Sequence, residues 1–185
     1  WIAAKAKNTT PLTGRQWGVI VFLGLFGYYL SSLFDFVGLQ YITAGLERLI
    51  LFLYPTFAIL LNAFIFKQRV NRIQKIALLL TYTGIAVAYV GELQLDMNNP
   101  DFLWGSFLIF LCSVTFAVYI TGSGRIIPQV GAGRFTAYAM LAATTGIFIH
   151  FALAGLMPAA GFSGIHWGYG LLLAIVATVL PSFLI

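Results

Sequence analysis

The sequence contains 185 residues, of which 61% are hydrophobic and only 8% charged, with a formal net charge of +5. Soluble domains carry about 25% charged residues, so this composition excludes an ordinary soluble globule. The single cysteine, Cys112, excludes an internal disulfide and, within an apolar run, reads as a buried inert thiol.

Six apolar runs of roughly 20 residues follow one another at about 17–40, 44–66, 73–93, 102–122, 132–155 and 167–185. At 1.5 Å rise per residue such a run matches the ~30 Å hydrocarbon core of a bilayer. Helices are the expected form, because a backbone in lipid must satisfy its own hydrogen bonds. The short alternating segments of a membrane β-barrel are absent from the pattern. The expectation is an all-α, polytopic membrane bundle with six transmembrane helices. The sequence opens on Trp1 rather than Met and closes on Ile185 inside an apolar run, so a piece of a longer protein is expected.

Charge placement turns the runs into a topology. Lys5, Lys7 and Arg15 precede the first run, Lys67, Arg69, Arg72 and Lys75 separate the second from the third, and Arg125 and Arg134 separate the fourth from the fifth. The alternate connectors are neutral at 38–43, acidic at 92–101 and without charged residues at 155–166. Nine of the ten basic residues therefore fall on one side, which the positive-inside rule makes cytoplasmic. The basic excess is a membrane signature and not a nucleic-acid surface. The expected location is the cell inner membrane or plasma membrane, as a multi-pass protein.

In chain order, residues 1–16 form a cytoplasmic connector, where the Asn8-Thr9-Thr10 sequon is a chance match. The first helix carries Gly24, Tyr28, Ser31, Ser32 and Asp35 at spacings of three and four, which puts them on one face. A polar stripe on a membrane helix faces other helices or a wet cavity. On the second helix Glu47, Tyr54, Ala58 and Asn62 fall near one line, with Arg48 ~100° away. Pro55 bends that helix, either as a packing kink or to open a cavity. The third helix offers Tyr82 and Tyr89 on one face, and Gly84 and Ala86 as small packing surfaces. Asp96-Met97-Asn98 resembles the start of a calcium loop but lacks its glycine and closing glutamate, so it reads as a solvated turn. Trp104 anchors the outer end of the fourth helix. The glycines of residues 122–134 form a cytoplasmic loop with no phosphate-binding pattern, since no Lys-Ser or Lys-Thr follows. His150 reads as an interfacial residue, having no Cys, Asp or Glu nearby in sequence, and no metal or cofactor is expected.

The sequence WGVIVFLGLFGYYLSSLFD from Trp17 aligns without gaps to WGYGLLLAIVATVLPSFLI from Trp167. The offset of 150 residues (167 − 17) spans five crossings, so the two copies would be oppositely oriented. Inverted repeats of this kind mark secondary transporters, with the substrate site near the midplane.

The segment GLQYITAGLERLILFLYPTFAILLNAFIFKQRVNRIQKIALLLTYTGIAVAYVGEL resembles the EamA-type permeases of the drug/metabolite transporter superfamily. The resemblance rests on the small-residue start of the second helix, Pro55, the basic turn and the Gly84 helix. It implies a ten-helix transporter built from two inverted five-helix repeats. Residues 1–93 would then be the end of the first repeat and 94–185 the start of the second, each with three helices here. Lys67-Gln68-Arg69 departs from the Gly-Glu-Arg-like turn of many relatives, leaving no acid at that turn.

The function expected is secondary transport of small metabolites, amino-acid-like compounds or drugs by alternating access. The alternatives are a membrane-embedded enzyme and a non-transporting scaffold. An enzyme would need clustered ligands or a nucleophile beside a base, and no HExxH or GxSxG occurs, so no catalytic residue is assigned. The substrate-binding candidates are Tyr28, Ser32, Asp35, Glu47, Arg48, Tyr54 and Tyr82, and all but Arg48 are expected to face one central cavity. Asp35 and Arg48 lie roughly six or seven residues from the middle of their connector, ~10 Å in helical rise, and are expected to pair. Glu47 is the candidate for proton or substrate binding. The expected partners are the bilayer, a small-molecule substrate and the proton as coupling ion.

Overall fold

The computed structural model describes residues 11–68, 70–96, 100–155 and 164–179. Lys5, Lys7, Asn8, Arg69, Met97 and Asn98, on which the sequence carries expectations, lie outside these residues. Six helices account for the expected runs: α1 Gly14–Gly38, α2 Ala44–Phe66, α3 Arg72–Asp96, α4 Phe102–Val130, α5 Ala132–Leu153 and α6 Gly164–Leu173. No strand occurs among the described residues. Four of them, α1, α2, α4 and α5, are long and apolar enough to cross a membrane, and α3 has 25 residues. The chain is an all-α membrane bundle.

Local chemistry sets the boundaries. Thr13 and Gln16 form a reciprocal capping box at the start of α1, with Gln16 N donating to Thr13 Oγ1 at 3.3 Å and Thr13 N to Gln16 Oε1 at 2.9 Å. Thr43 caps α2 by accepting from Leu46 N at 3.2 Å. Lys67 ends α2 in a left-handed conformation, φ 52°.

Neither α1 nor α2 is regular. Residues Leu25–Leu30 of α1 form a π-helical turn, one residue wider than the α-helical repeat. In α2 the chain breaks at Phe52 and Leu53 and restarts at Tyr54. Pro55 causes the break, because it has no N–H to offer the Leu51 carbonyl and its ring crowds that oxygen.

Two units divide the chain inside α5, Trp1–Ala143 and Thr144–Ile185. In the first unit α1 packs along α4 around two apolar clusters. One joins Ile20 and Leu23 of α1 to Ile126 and Val130 of α4 and Phe135 and Ala139 of α5. The other joins Ile42, Leu46 and Ile50 to Phe102 and Ile109 of α4. Lipid is as apolar as these side chains, so close backbone approach rather than water exclusion holds the helices together. At Gly38 and Gly105 that approach is tight: a Cβ on either would lie 3.2 Å from the other's carbonyl oxygen. In the second unit α6 continues into another π-helical turn, Ala174–Val179. It begins one residue earlier than the 150-residue offset from Leu25 places it (25 + 150 = 175).

The expected loop at 122–134 is corrected. α4 continues to Val130, and Gly131 alone (φ 86°) separates it from α5. Packing overrides the breaker signals here. Ile126 and Val130 are anchored in the first cluster, and the glycine at 122 leaves room for Leu23. Pro128 costs one hydrogen bond, that of the Gly124 carbonyl, and Gly124 is exposed at the helix end where water can replace the donor.

Candidate functional site

The polar residues of a membrane helix separate into those that bond their own helix and those that do not. Asn62 donates to Ala58 O at 2.8 Å, Thr81 to Ala77 O at 2.8 Å, Thr83 to Leu80 O at 2.8 Å and Ser113 to Phe110 O at 2.7 Å. Such side chains are satisfied locally and need no partner from another helix. Tyr28, Ser31 and Asp35 are of the second kind. The Tyr119 hydroxyl donates to the Tyr28 hydroxyl at 2.9 Å, from α4 to α1. Ser31 Oγ lies 3.2 Å from Cys112 Sγ and 3.4 Å from the Cys112 carbonyl oxygen, to which it donates. Asp35 Oδ1 is buried without a hydrogen-bond partner among the described residues.

Beside these contacts lies a cavity of about 190 Å³, between the two apolar clusters. Tyr28, Ser31, Ser32 and Asp35 line it from the π turn of α1 and the turn that follows, Leu51 from the break in α2, and Cys112 and Phe116 from α4. Phe116 stands 14 residues from either end of α4 (116 − 102 and 130 − 116), so the cavity reaches the middle of the span. Both helix irregularities of this unit therefore border it. A π turn re-aims side chains and is common at functional sites.

Glu47 is buried, and its carboxyl approaches that of Asp35. The expected Asp35–Arg48 pair is thereby corrected: Asp35 meets Glu47, while the Arg48 charge acts on Glu47. Consecutive helical residues diverge by ~100°, and here Glu47 turns inward and Arg48 is exposed. Tyr54 packs edge-on against the cavity residue Phe116, with ring centroids 5.1 Å apart. Of the seven candidates, Tyr28, Ser32 and Asp35 line the cavity, and Glu47 and Tyr54 touch residues that do. Arg48 and Tyr82 are exposed and do not line it. Cys112 and Phe116 line the cavity and Tyr119 bonds its Tyr28, three residues that are not among the candidates. Their signal was the spacing 112, 116, 119, which puts them on one face of α4.

Among the described residues two carboxyls meet here with no cluster of nitrogen or sulfur donors, a poor ligand set for a transition metal. No group of three or more metal-ligating residues occurs among the described residues.

Helices of membrane-crossing length, a mid-span polar cavity and segregated charge define a multi-pass membrane protein. Residues 1–90 match the EamA-like transporter family. The chain is 31% identical over 166 residues, 87% of its length, to the uncharacterized transporter YcbK of Bacillus subtilis, covering 52% of that protein. It is 22% identical over 121 residues, 64% of its length, to an uncharacterized transporter of Archaeoglobus fulgidus, covering 41% of it. The chain thus spans about half the length of the curated relatives it matches. No solved structure matches. The match bears out the resemblance of the Gly38–Leu93 segment to the EamA-type family.

Proposed function

We propose that the protein is a secondary transporter that moves small metabolites or drugs through the Tyr28–Asp35 cavity by alternating access. The observation that carries this reading is a mid-span polar cavity bordered by two interrupted helices. Interrupted helices at the midplane are where such proteins bind substrate. Amino-acid-like and other amine-bearing compounds fit best. The Asp35 and Glu47 carboxyls supply negative charge, and the Tyr28, Phe116 and Tyr119 rings supply faces for an ammonium group. Two carboxylates side by side repel one another, and either a bound proton or a substrate cation relieves that repulsion. Proton and substrate would then exclude one another at one pair. In this reading residues 1–93 end the first inverted repeat and 94–185 begin the second. Recurrence of the π turn near the 150-residue offset supports it.

The test is a panel of amino acids, polyamines and quaternary ammonium compounds offered to the full-length protein in vesicles, with and without a proton gradient. Transport accelerated by the gradient, and uncoupled from it in Glu47→Gln, is the expected result. A folded protein that transports none of the panel would overturn the reading in favour of a scaffold.

A further inference from the structure

A second cavity, about 590 Å³ in volume, lies at the other end of the first unit, where α1 begins and α2 and α4 end. Thr13, Arg15, Gln16, Phe66, Arg125 and Gln129 line it. The transport reading uses none of them. The Arg125 guanidinium carbon sits 3.2 Å above the centre of the Phe66 ring. Stacking fixes the plane of the guanidinium while its N–H groups, which point outward in that plane, stay available to a ligand. Gln16 commits its oxygen to the Thr13 amide at 2.9 Å, which leaves its NH2 group as a donor. Gln129 uses one N–H on the Arg125 carbonyl at 3.1 Å, and a second remains.

The charge around this cavity is uncompensated. All five acidic residues of the chain, Asp35, Glu47, Glu92, Asp96 and Asp101, belong to the opposite ends of the helices. Lys67 follows directly on Phe66, and Arg72 and Lys75 stand in the first turn of α3, at the same end of the helices. Two guanidiniums and two amide donors lining one cavity call for an anion with several oxygens, and about 590 Å³ leaves room for what that anionic group is attached to. A phosphate group meets that description, since guanidinium forks bind its oxygens in pairs. A carboxylate would use one fork and leave the other charge without a partner.

We propose that this cavity is a phosphate-binding site, separate from the transport cavity. The phosphate has two possible sources. One is the head group of an anionic phospholipid, which is concentrated in the leaflet facing the basic connectors. The other is a soluble phosphate.

The experiment uses the full-length protein and two arms. In one, purified protein is titrated with radiolabelled inorganic phosphate by equilibrium dialysis. In the other, protein in nanodiscs of phosphatidylcholine with phosphatidylglycerol is released into the gas phase, and the retained lipid is identified by native mass spectrometry. Each arm compares wild type, Arg15→Gln, Arg125→Lys and the Arg15→Gln/Arg125→Gln double variant. Arg15 is exposed and outside both apolar clusters, so Arg15→Gln keeps the test meaningful if the double variant misfolds. A soluble source predicts saturable phosphate binding that Arg15→Gln weakens about tenfold and the double variant abolishes. A lipid source predicts selective retention of phosphatidylglycerol, reduced in the same order. In both, Arg125→Lys falls between wild type and the double variant, because charge survives and the fork does not. No phosphate binding together with unselective retention of lipid would overturn the proposal, as would binding that Arg15→Gln leaves unchanged in a folded protein.

Discussion

Asp35 meets Glu47 because the two residues lie at similar depth on either side of the 38–43 connector and rotation turns both inward. Counting residues from the connector gives depth correctly but does not give rotation. Glu47 and Arg48 differ in depth by ~1.5 Å and in direction by ~100°. The choice of partner therefore depended on packing that no local spacing reports: Leu46 and Ile50 are buried in the cluster with Phe102 and Ile109, which draws Glu47 in beside them. A double-mutant cycle separates the two pairings. Asp35→Asn and Glu47→Gln should be coupled by more than about 0.5 kcal/mol in the stability of the folded protein. Asp35→Asn and Arg48→Gln should couple more weakly than that, because the two residues meet only through Glu47. Strong coupling in the second cycle and none in the first would restore the ion pair that the sequence suggested.

At the scale of elements, hydrophobic runs located every helix, since length and hydropathy are properties of a segment and not of its neighbours. The run at 44–66 matches α2 at both ends. Interruptions were less legible. Pro55 signals the break in α2 from its chemistry alone, whereas nothing in LFGYYL marks a π turn. The residues after 122 were misread because glycine and proline weaken a helix only by amounts that tertiary anchors can offset, as Ile126 and Val130 do here. The same interplay gives a test of the α1–α4 contact. Gly105 faces Gly38 and Ile42, and a side chain there has nowhere to go. Gly105→Val should destabilise the protein by about 1–3 kcal/mol, read as a lowered melting temperature in detergent. Gly84→Val on α3, where no atom lies within 4 Å of an added Cβ, should leave the melting temperature close to that of wild type. Equal effects at both positions would mean that α1 and α4 do not approach at Gly38 and Gly105.

For the whole molecule, segregated charge and alternating crossings agree. The start of α1 and the ends of α2 and α4 share one cavity, and their basic residues lie beside it. Asp35 and Glu47 lie toward the other end. Cysteines placed at Gln74 and Asp101 in a cysteine-free background should react with an impermeant maleimide from opposite faces, Asp101→Cys from outside the cell and Gln74→Cys only after permeabilisation. Labelling of both from outside would contradict the topology. What the sequence left undetermined at this scale was which polar residues converge. The Tyr28–Asp35 stripe could be read from its period, but Cys112, Phe116 and Tyr119 reach it only through the packing of α4 on α1.

In the proposed transport cycle substrate crosses through the cavity that Asp35 lines. The most direct test of this passage is the initial rate of uptake of a transported amine by the full-length protein in vesicles, compared among wild type, Asp35→Asn and Arg48→Gln. Asp35→Asn should slow uptake about a hundredfold, equivalent to ~2.7 kcal/mol for a substrate cation left without its carboxylate. Arg48→Gln, outside the cavity, should stay within about threefold of wild type, the ~0.6 kcal/mol of an exposed charge. Wild-type uptake by folded Asp35→Asn would contradict passage through this cavity.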